Sequence, residues 1–187
     1  MRVDRLETGV YTVPNEGGRT ESDGTLAWDG VTVVVVEAVC DGGLRGLGYT
    51  YGPRATAAVV EDQLRSSVEG RLLEEHRDAW EAMVRSVRNA GRPGIGAMAI
   101  SAVDCALWDL RARQLGLPLY ELLGVRRTEV PIYGSGGYTS LEVSQLAEQL
   151  GGWVEGGMPR VKMKVGADRG RRPEQDLSRI EAVREAI

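Results

Sequence analysis

Two lysines, two positions apart, are the residues of this sequence whose type and spacing best suit chemistry. Lys162 and Lys164 are the only lysines of the chain, and the other 21 basic residues are all arginine. Arginine keeps its proton near neutral pH, whereas a lysine can lose its proton when its surroundings disfavour the charge. The pattern therefore indicates proton transfer rather than a general need for positive charge.

In a β-strand the two lysines would share one face, because successive side chains point to opposite faces. Val161, Met163 and Val165 would then share the other face. Two ammonium groups on one face disfavour each other's charge, and partial burial adds to this effect, so that a lysine in such a pair can act as a general base. The alternative, from these residues alone, is an ordinary half-exposed strand with a solvated basic face and an apolar core face.

The composition is that of a globular protein with a sizeable core. The chain has 187 residues, of which 42% are hydrophobic and 27% are charged, and its net charge is −4. A negative charge without a basic patch argues against a nucleic-acid partner. The longest apolar run, residues 31–36, is too short to cross a bilayer, and the N-terminus lacks a signal-peptide core, so we expect a soluble, cytoplasmic protein with no membrane partner.

The sulfur and imidazole side chains offer no second chemistry in this sequence. Cys40 and Cys105 lack metal-ligand spacing, and we expect both to be reduced, buried thiols. His76 is the only histidine and is expected to be exposed or to cap a helix. A nucleophile–histidine dyad is therefore not predicted.

The first part of the chain predicts a small antiparallel sheet followed by helices. Segments rich in β-branched residues, separated by glycine-rich turns, predict a three-stranded meander over residues 2–13, 31–40 and 44–51. Between the first two strands, residues 15–30 are polar and glycine-rich, which predicts a long mobile loop. Helical periodicity then predicts helices over residues 55–69, 72–89 and 95–115, with a helical turn over 119–123.

A different pattern begins at residue 130. Predicted strands at residues 130–135 and 160–165 alternate with predicted helices at residues 141–155 and 173–187. Alternation of strands and helices with short connections indicates parallel βα units. We expect the parallel strands to be buried on both sides.

Three motifs occur in order along the chain: SAVDCALWDL at residues 101–110, GLPLYELLG at residues 116–124, and the Lys-x-Lys strand. Together they resemble the enolase superfamily, and within it the mandelate racemase and muconate-lactonizing branch. The resemblance implies an α+β capping domain over residues 1–125, made of the three-stranded antiparallel meander plus helices. It also implies that residues 126–187 form the first two βα units of an incomplete (β/α)8 TIM-type barrel. Because a complete barrel takes about 250 residues, we expect the chain to be the front part of a longer enzyme.

The resemblance also implies a reaction, in which the α-proton of a carboxylate substrate is removed and Mg²⁺ stabilises the resulting enediolate. Lys164 would be the base, and Lys162 would contact the substrate carboxylate and make Lys164 a better base. Further substrate contacts would come from the two capping loops and the first barrel strand, namely Trp28, Tyr51, Tyr133 and Ser135. The Mg²⁺ ligands would be carboxylates on later strands, so no metal ligand is assigned within this chain.

The motifs leave the exact reaction open. We expect an acid-sugar dehydratase or a hydroxy-acid racemase, and muconate cycloisomerase-like or dipeptide epimerase chemistry are the alternatives. A further alternative is that the chain is a non-catalytic fragment or scaffold. Mg²⁺ binding that depends on substrate would distinguish an enzyme from a scaffold. The expected partners are a small carboxylate substrate and further copies of the chain in a homo-oligomer.

Overall fold

The computed structural model describes Met1–Ile187, and its contacts divide the chain into two compact units. The first unit comprises Met1–Val13 and Val31–Arg126, and the second comprises Pro14–Gly30 and Arg127–Ile187. The segment between the first two long strands thus groups with the C-terminal residues, although its place in the sequence assigned it to the predicted capping domain. The interpretation of the two units as a cap and the start of a barrel stays a prediction.

The predicted strands and helices occur along the chain in the predicted order, and the structure adds three short elements that were not predicted. The strands are β1 (Val3–Pro14), β2 (Glu21–Ser22), β3 (Ala27–Trp28), β4 (Gly30–Cys40), β5 (Arg45–Tyr51), β6 (Gly134–Ser135) and β7 (Val161–Lys162). The helices are α1 (Arg54–Val59), α2 (Arg65–Val68), α3 (His76–Ser86), α4 (Ala97–Leu115), α5 (Leu119–Leu122), α6 (Val143–Glu155), α7 (Ala167–Gly170) and α8 (Pro173–Ala186). One wider helical turn, Val60–Leu64, joins α1 to α2, so that the predicted helix over residues 55–69 is continuous.

The first unit contains a three-stranded sheet in the order β1–β4–β5. β4 and β5 run antiparallel, with Val36 opposite Gly48 and Val33 opposite Tyr51. The alternate residues Val34, Val36 and Ala38 are fully buried on the helix-covered face. The α+β capping fold is therefore confirmed, and its sheet forms where the β-branched segments predicted it.

Helix α4 crosses β5 closely because β5 carries glycine at two alternate positions. A Cβ atom at Gly48 would overlap the backbone carbonyl of Ala102, and one at Gly46 would overlap that of Ala106. Small residues on both elements let the backbones approach, and this buries an apolar core around α4. Gly116 ends α4 in the left-handed conformation, with φ of 66°.

Two expectations for the first unit are wrong. The His76 side chain is only 15% exposed, because its Nε2 lies 2.8 Å from Asp104 Oδ1 and its ring lies 4.2 Å from that of Trp108. Cys105 is exposed, whereas Cys40 is buried as expected. Both errors have the same cause. Helical periodicity in the sequence does not show which faces of α3 and α4 pack together, and this packing decides whether His76 and Cys105 are buried.

The second unit contains a parallel pair of strands, β6 and β7, in which Gly134 is opposite Val161. Parallel pairing confirms the predicted βα order, with α6 and α8 packed against each other. The strands are shorter than predicted, because residues 130–133 and 163–165 form no regular ladder. In this structure helices cover one face of the pair, and Ser135 and Lys162 are exposed on the other. Burial on both sides would need more of a barrel than these residues form, so it stays a prediction.

Residues 15–30, predicted as a long mobile loop, contain short elements of regular structure, and their mobility stays a prediction. A helical turn at Glu16–Gly18 is followed by an antiparallel hairpin, residues 21–28, in which Glu21 pairs with Trp28. The side chain of Asn15 closes the base of this segment by donating to the carbonyls of Arg19 and Trp28.

No helix of the structure has the length and apolar character needed to cross a membrane.

Candidate active site

The two lysines lie on the strand face that points away from the core of the second unit. Val161 and Met163 pack against the buried side chains of Leu146, Leu150 and Val183, as predicted. Since side chains alternate along a strand, Lys162 and Lys164 are left on the opposite face. The apolar neighbours Val161 and Met163 anchor the strand to the core. Both ammonium groups are therefore available for contacts with a ligand.

A local irregularity in the pairing sets the position of Lys164. The Gly136 N–H donates to the Lys162 carbonyl at 3.2 Å, whereas the Lys164 N–H donates to Gly137, one residue further on, at 2.9 Å. Gly137 has φ of 60°, and a Cβ atom there would lie 2.7 Å from the Met163 Cβ atom. Only glycine fits this position without strain, so Gly137 helps to fix the backbone from which Lys164 extends.

Lys164 lines an open cleft of about 510 Å³. The cleft is also lined by residues 23–25, at the tip of the hairpin formed by residues 21–28, and by Gly166 and Arg169. Part of the cleft is therefore supplied by a segment far from Lys164 in the sequence. Lys162 is exposed nearby on the same strand and lies opposite Ser135 in the pairing register.

Asp23 makes the hairpin tip a rigid acidic turn. Its Oδ1 accepts hydrogen bonds from the Thr25 N–H at 2.7 Å, the Leu26 N–H at 2.9 Å and the Thr25 hydroxyl at 2.9 Å. These bonds hold the pKa of Asp23 below its usual range, and the positive charge of Lys164 adds to the effect. The cleft thus combines a cation that can exchange a proton with a fixed carboxylate that can accept hydrogen bonds from hydroxyl groups.

Trp28, predicted to contact substrate, contacts Glu21 and Tyr138 within the second unit. Its Nε1 donates to Glu21 Oε2 at 3.1 Å, and its ring meets Tyr138 edge-on with centroids 5.6 Å apart. Burial raises the pKa of Tyr138, and the Glu21 carboxylate contributes to the rise. The indole therefore stabilises the base of the hairpin and does not line the cleft of Lys164.

The other predicted contact residues are scattered. Tyr133 precedes β6 and is 54% exposed, and Ser135 is exposed beside Lys162. Tyr51 ends β5 in the first unit, where it is 62% exposed and meets Tyr49 edge-on. The structure brings together Ser135 with Lys162, but it does not add Tyr133 to the cleft of Lys164.

Sequence reasoning missed Asp23 and Arg169 as lining residues of this cleft. For Asp23 a signal was present, because Asp-Gly-Thr is a sequence in which the aspartate side chain caps its own turn. For Arg169 there was none, because it and Asp168 adopt the left-handed conformation, with φ of 57° and 53°, which a non-glycine residue rarely does.

Known proteins with the same architecture have been identified by sequence and by structure. Residues 24–124 match the family model described as the mandelate racemase/muconate lactonizing enzyme N-terminal domain. A solved mandelate racemase/muconate lactonizing enzyme-like protein from Rubrobacter xylanophilus is 54% identical, with a TM-score of 0.93, and the match covers 100% of this chain and 50% of that one.

Two further relatives are enzymes with named activities. A 3,6-anhydro-α-L-galactonate cycloisomerase from Streptomyces coelicolor is 35% identical over 99% of this chain and 51% of its own length. The structure of L-talarate/galactarate dehydratase from Salmonella typhimurium LT2, liganded with Mg and L-lyxarohydroxamate, is 27% identical, with a TM-score of 0.84, over 99% of this chain and 49% of that one. The chain spans about half the length of these relatives.

The order of the fold and these matches agree with one another. The relatives act on sugar acids, as dehydratases and cycloisomerases. The family model alone covers more than half of the chain. The chain therefore belongs to the mandelate racemase/muconate lactonizing enzyme branch of the enolase superfamily.

Proposed function

We propose that this chain supplies the general base of an enzyme that removes the α-proton of a sugar acid. The observation that carries the proposal is that Lys164 faces a cleft while Val161 and Met163 anchor its strand to the core. Lys164, in its neutral form, would accept the α-proton, and Lys162 would hold the substrate carboxylate by its charge. The fixed carboxylate of Asp23 would accept hydrogen bonds from substrate hydroxyls.

Among the possible outcomes, dehydration of an acid sugar is our first choice, ahead of racemisation of a hydroxy acid. The support is the set of relatives, which includes L-talarate/galactarate dehydratase and arabinonate dehydratase. Cycloisomerisation of a sugar acid is the second candidate, because the cycloisomerase from Streptomyces coelicolor is 35% identical to this chain. Dehydration, racemisation and cycloisomerisation would all begin with the same proton transfer, in which Lys164 would be the base.

Mg²⁺ is the cofactor that we propose, because relatives have been solved with magnesium bound. When bound, it would stabilise the negative charge that develops on the substrate carboxylate. The residues of this chain do not fit the ion by themselves, since no group of three His, Cys, Asp or Glu side chains comes together to hold a metal. We propose that the metal ligands lie outside these 187 residues.

We also propose a homo-oligomer. The support is the outward face of the sheet in the first unit, where Leu47, Tyr49 and Tyr51 are 48%, 58% and 62% exposed. Contiguous apolar side chains of this kind often mark contacts between protein chains.

The test of the base is exchange of the substrate α-proton with deuterated solvent, measured with Mg²⁺ and a panel of sugar acids on an enzyme that also contains the proposed metal ligands. Lys164→Arg keeps the charge but cannot accept a proton, so exchange should fall by about 10²–10⁴-fold. Lys162→Arg is the matched control, and it should raise KM while retaining measurable exchange. Near-normal exchange in Lys164→Arg would show that Lys164 is not the base.

A further inference from the structure

Thr139 attaches the hairpin of residues 21–28 to the segment that follows β6, next to the ring contact between Trp28 and Tyr138. The Thr139 N–H donates to the Ser22 carbonyl at 2.8 Å. The Thr139 hydroxyl oxygen lies 2.8 Å from the Asp23 carbonyl, 3.0 Å from the Ser22 carbonyl and 2.7 Å from the Ser22 hydroxyl. Because a hydroxyl has one proton, Thr139 can donate to one of the carbonyls while it accepts from the Ser22 hydroxyl.

A second attachment holds the tip of the same hairpin. The Arg169 N–H donates to the Gly24 carbonyl at 3.0 Å. At Gly24, a Cβ atom would lie 2.6 Å from the Gly166 carbonyl oxygen, so the two backbones are in direct contact. Gly166 follows the lysine strand, and this contact places the tip beside Lys164.

Helix α8 fixes both places to which the hairpin is attached. Arg179, which is 3% exposed, donates to the carbonyls of Tyr138 at 2.8 Å and Leu141 at 2.6 Å, on either side of Thr139. Asp176 Oδ2 accepts from the Gly166 N–H at 2.8 Å. The two side chains are three positions apart and therefore lie on the same side of α8.

The buried charge of Arg179 is partly compensated by nearby carboxylates. Burial lowers the pKa of Arg179, and the carboxylates of Asp176 and Glu142 oppose that effect. A buried guanidinium that gives both terminal nitrogens to backbone carbonyls has few other geometries available to it. The segment that carries Thr139 is accordingly held by α8 independently of the hairpin.

We infer that Thr139 is a positioning residue: it latches the hairpin so that Asp23 stays beside Lys164, and Arg179 and Asp176 hold the two points of attachment. The latch itself rests on these contacts alone. When the hairpin detaches, the cleft loses residues 23–25 from its lining. The effect of this loss on turnover rests on the proposed function.

Hydrogen–deuterium exchange of the full chain tests the latch without any assay of activity. Thr139→Val keeps the shape and the backbone N–H but removes the hydroxyl, and amide exchange in residues 21–28 and at Arg169 should become roughly tenfold faster. Thr139→Ser keeps the hydroxyl and should restore slow exchange. Exchange in α6 and α8 should be unchanged in both variants, which excludes general unfolding.

Two results would overturn the inference. One is a Thr139→Val hairpin that exchanges as slowly as the wild type. The other is a Thr139→Ser hairpin that exchanges as fast as Thr139→Val, because the methyl group and not the hydroxyl would then be responsible. Gly24→Ala gives an independent check, since it should accelerate exchange at Arg169 by displacing the tip while Thr139 is intact.

Kinetics with a sugar acid separate the latch from the proposed reaction. Thr139→Val should raise KM and lower kcat together, and Thr139→Ser should restore both, whereas Lys164→Arg should lower kcat with normal exchange in residues 21–28. If the exchange results hold but Lys164→Arg turns over normally, the latch stands and the proposed function fails. If Lys164 is essential but the hairpin of Thr139→Val stays protected, the function stands and the latch fails.

Discussion

The backbone N–H of Lys164 donates a hydrogen bond to the carbonyl of Gly137 at 2.9 Å. Lys164, the proposed base, is thereby tied to a position with φ of 60° that has no room for a side chain. The placement of Lys164 thus depends on the conformation of its neighbour across the strand pair, as well as on its own strand.

Gly137→Ala should be destabilising for two reasons that a control can separate. The new Cβ atom would lie 2.7 Å from the Met163 Cβ atom, and the left-handed φ is unfavourable for alanine. We expect a loss of about 2–4 kcal/mol in the free energy of unfolding, measured by chemical denaturation. Gly116→Ala has a similar φ of 66° but no neighbour within 4 Å, so it should cost only about 1 kcal/mol. Equal losses in the two variants would contradict the role of the contact with Met163.

Gly48→Ala should disrupt the contact between β5 and α4 in the first unit. The added Cβ atom would overlap the Ala102 carbonyl, and helix and strand would have to move apart. The expected cost is about 3 kcal/mol or more, because overpacking against backbone cannot be relieved by a change of rotamer. Gly42→Ala is the matched control: its Cβ atom would be 3.8 Å from Cys40 Sγ, an ordinary contact. Thermal denaturation that ranks the two variants in the opposite order would refute the packing argument.

The turn at Asp23 should depend on pH. The pKa of Asp23 is held below its usual range, first by the N–H groups of Thr25 and Leu26 and then by other groups that include Lys164. A lowered pKa in the folded turn means that the open turn binds a proton more readily, so the turn gains stability above the usual aspartate pKa of about 3.9 and loses it as pH falls through the lowered pKa.

NMR chemical shifts of the Thr25 and Leu26 amides, followed from pH 7 downwards, should report this transition. Asp23→Asn keeps an oxygen acceptor for the turn but has no charge to titrate. In that variant the acid transition of the two amides should disappear. A transition that persists in Asp23→Asn would assign it to another group.

The sequence by itself determined the local features of this protein. Alternation around the two lysines predicted that Val161 and Met163 pack on the core, and the structure confirms it. Gly116 lies at the end of α4, and Pro173 lies at the beginning of α8, as predicted. Each of these rests on backbone geometry or on a period of a few residues, which neighbouring residues are sufficient to specify.

Only the tertiary structure decided what surrounds Lys164. Ser22 and Thr139 are 117 positions apart, yet their hydroxyl oxygens are 2.7 Å from each other. The composition of residues 15–30 did not predict a hairpin, because the groups that hold the hairpin lie elsewhere in the chain. The strands were overestimated for a related reason: a strand needs a partner for its backbone N–H and C=O groups, and alternation in one segment cannot show where the ladder ends. Contacts of this kind depend on the path of the whole chain, so no local pattern could have placed Asp23 beside Lys164.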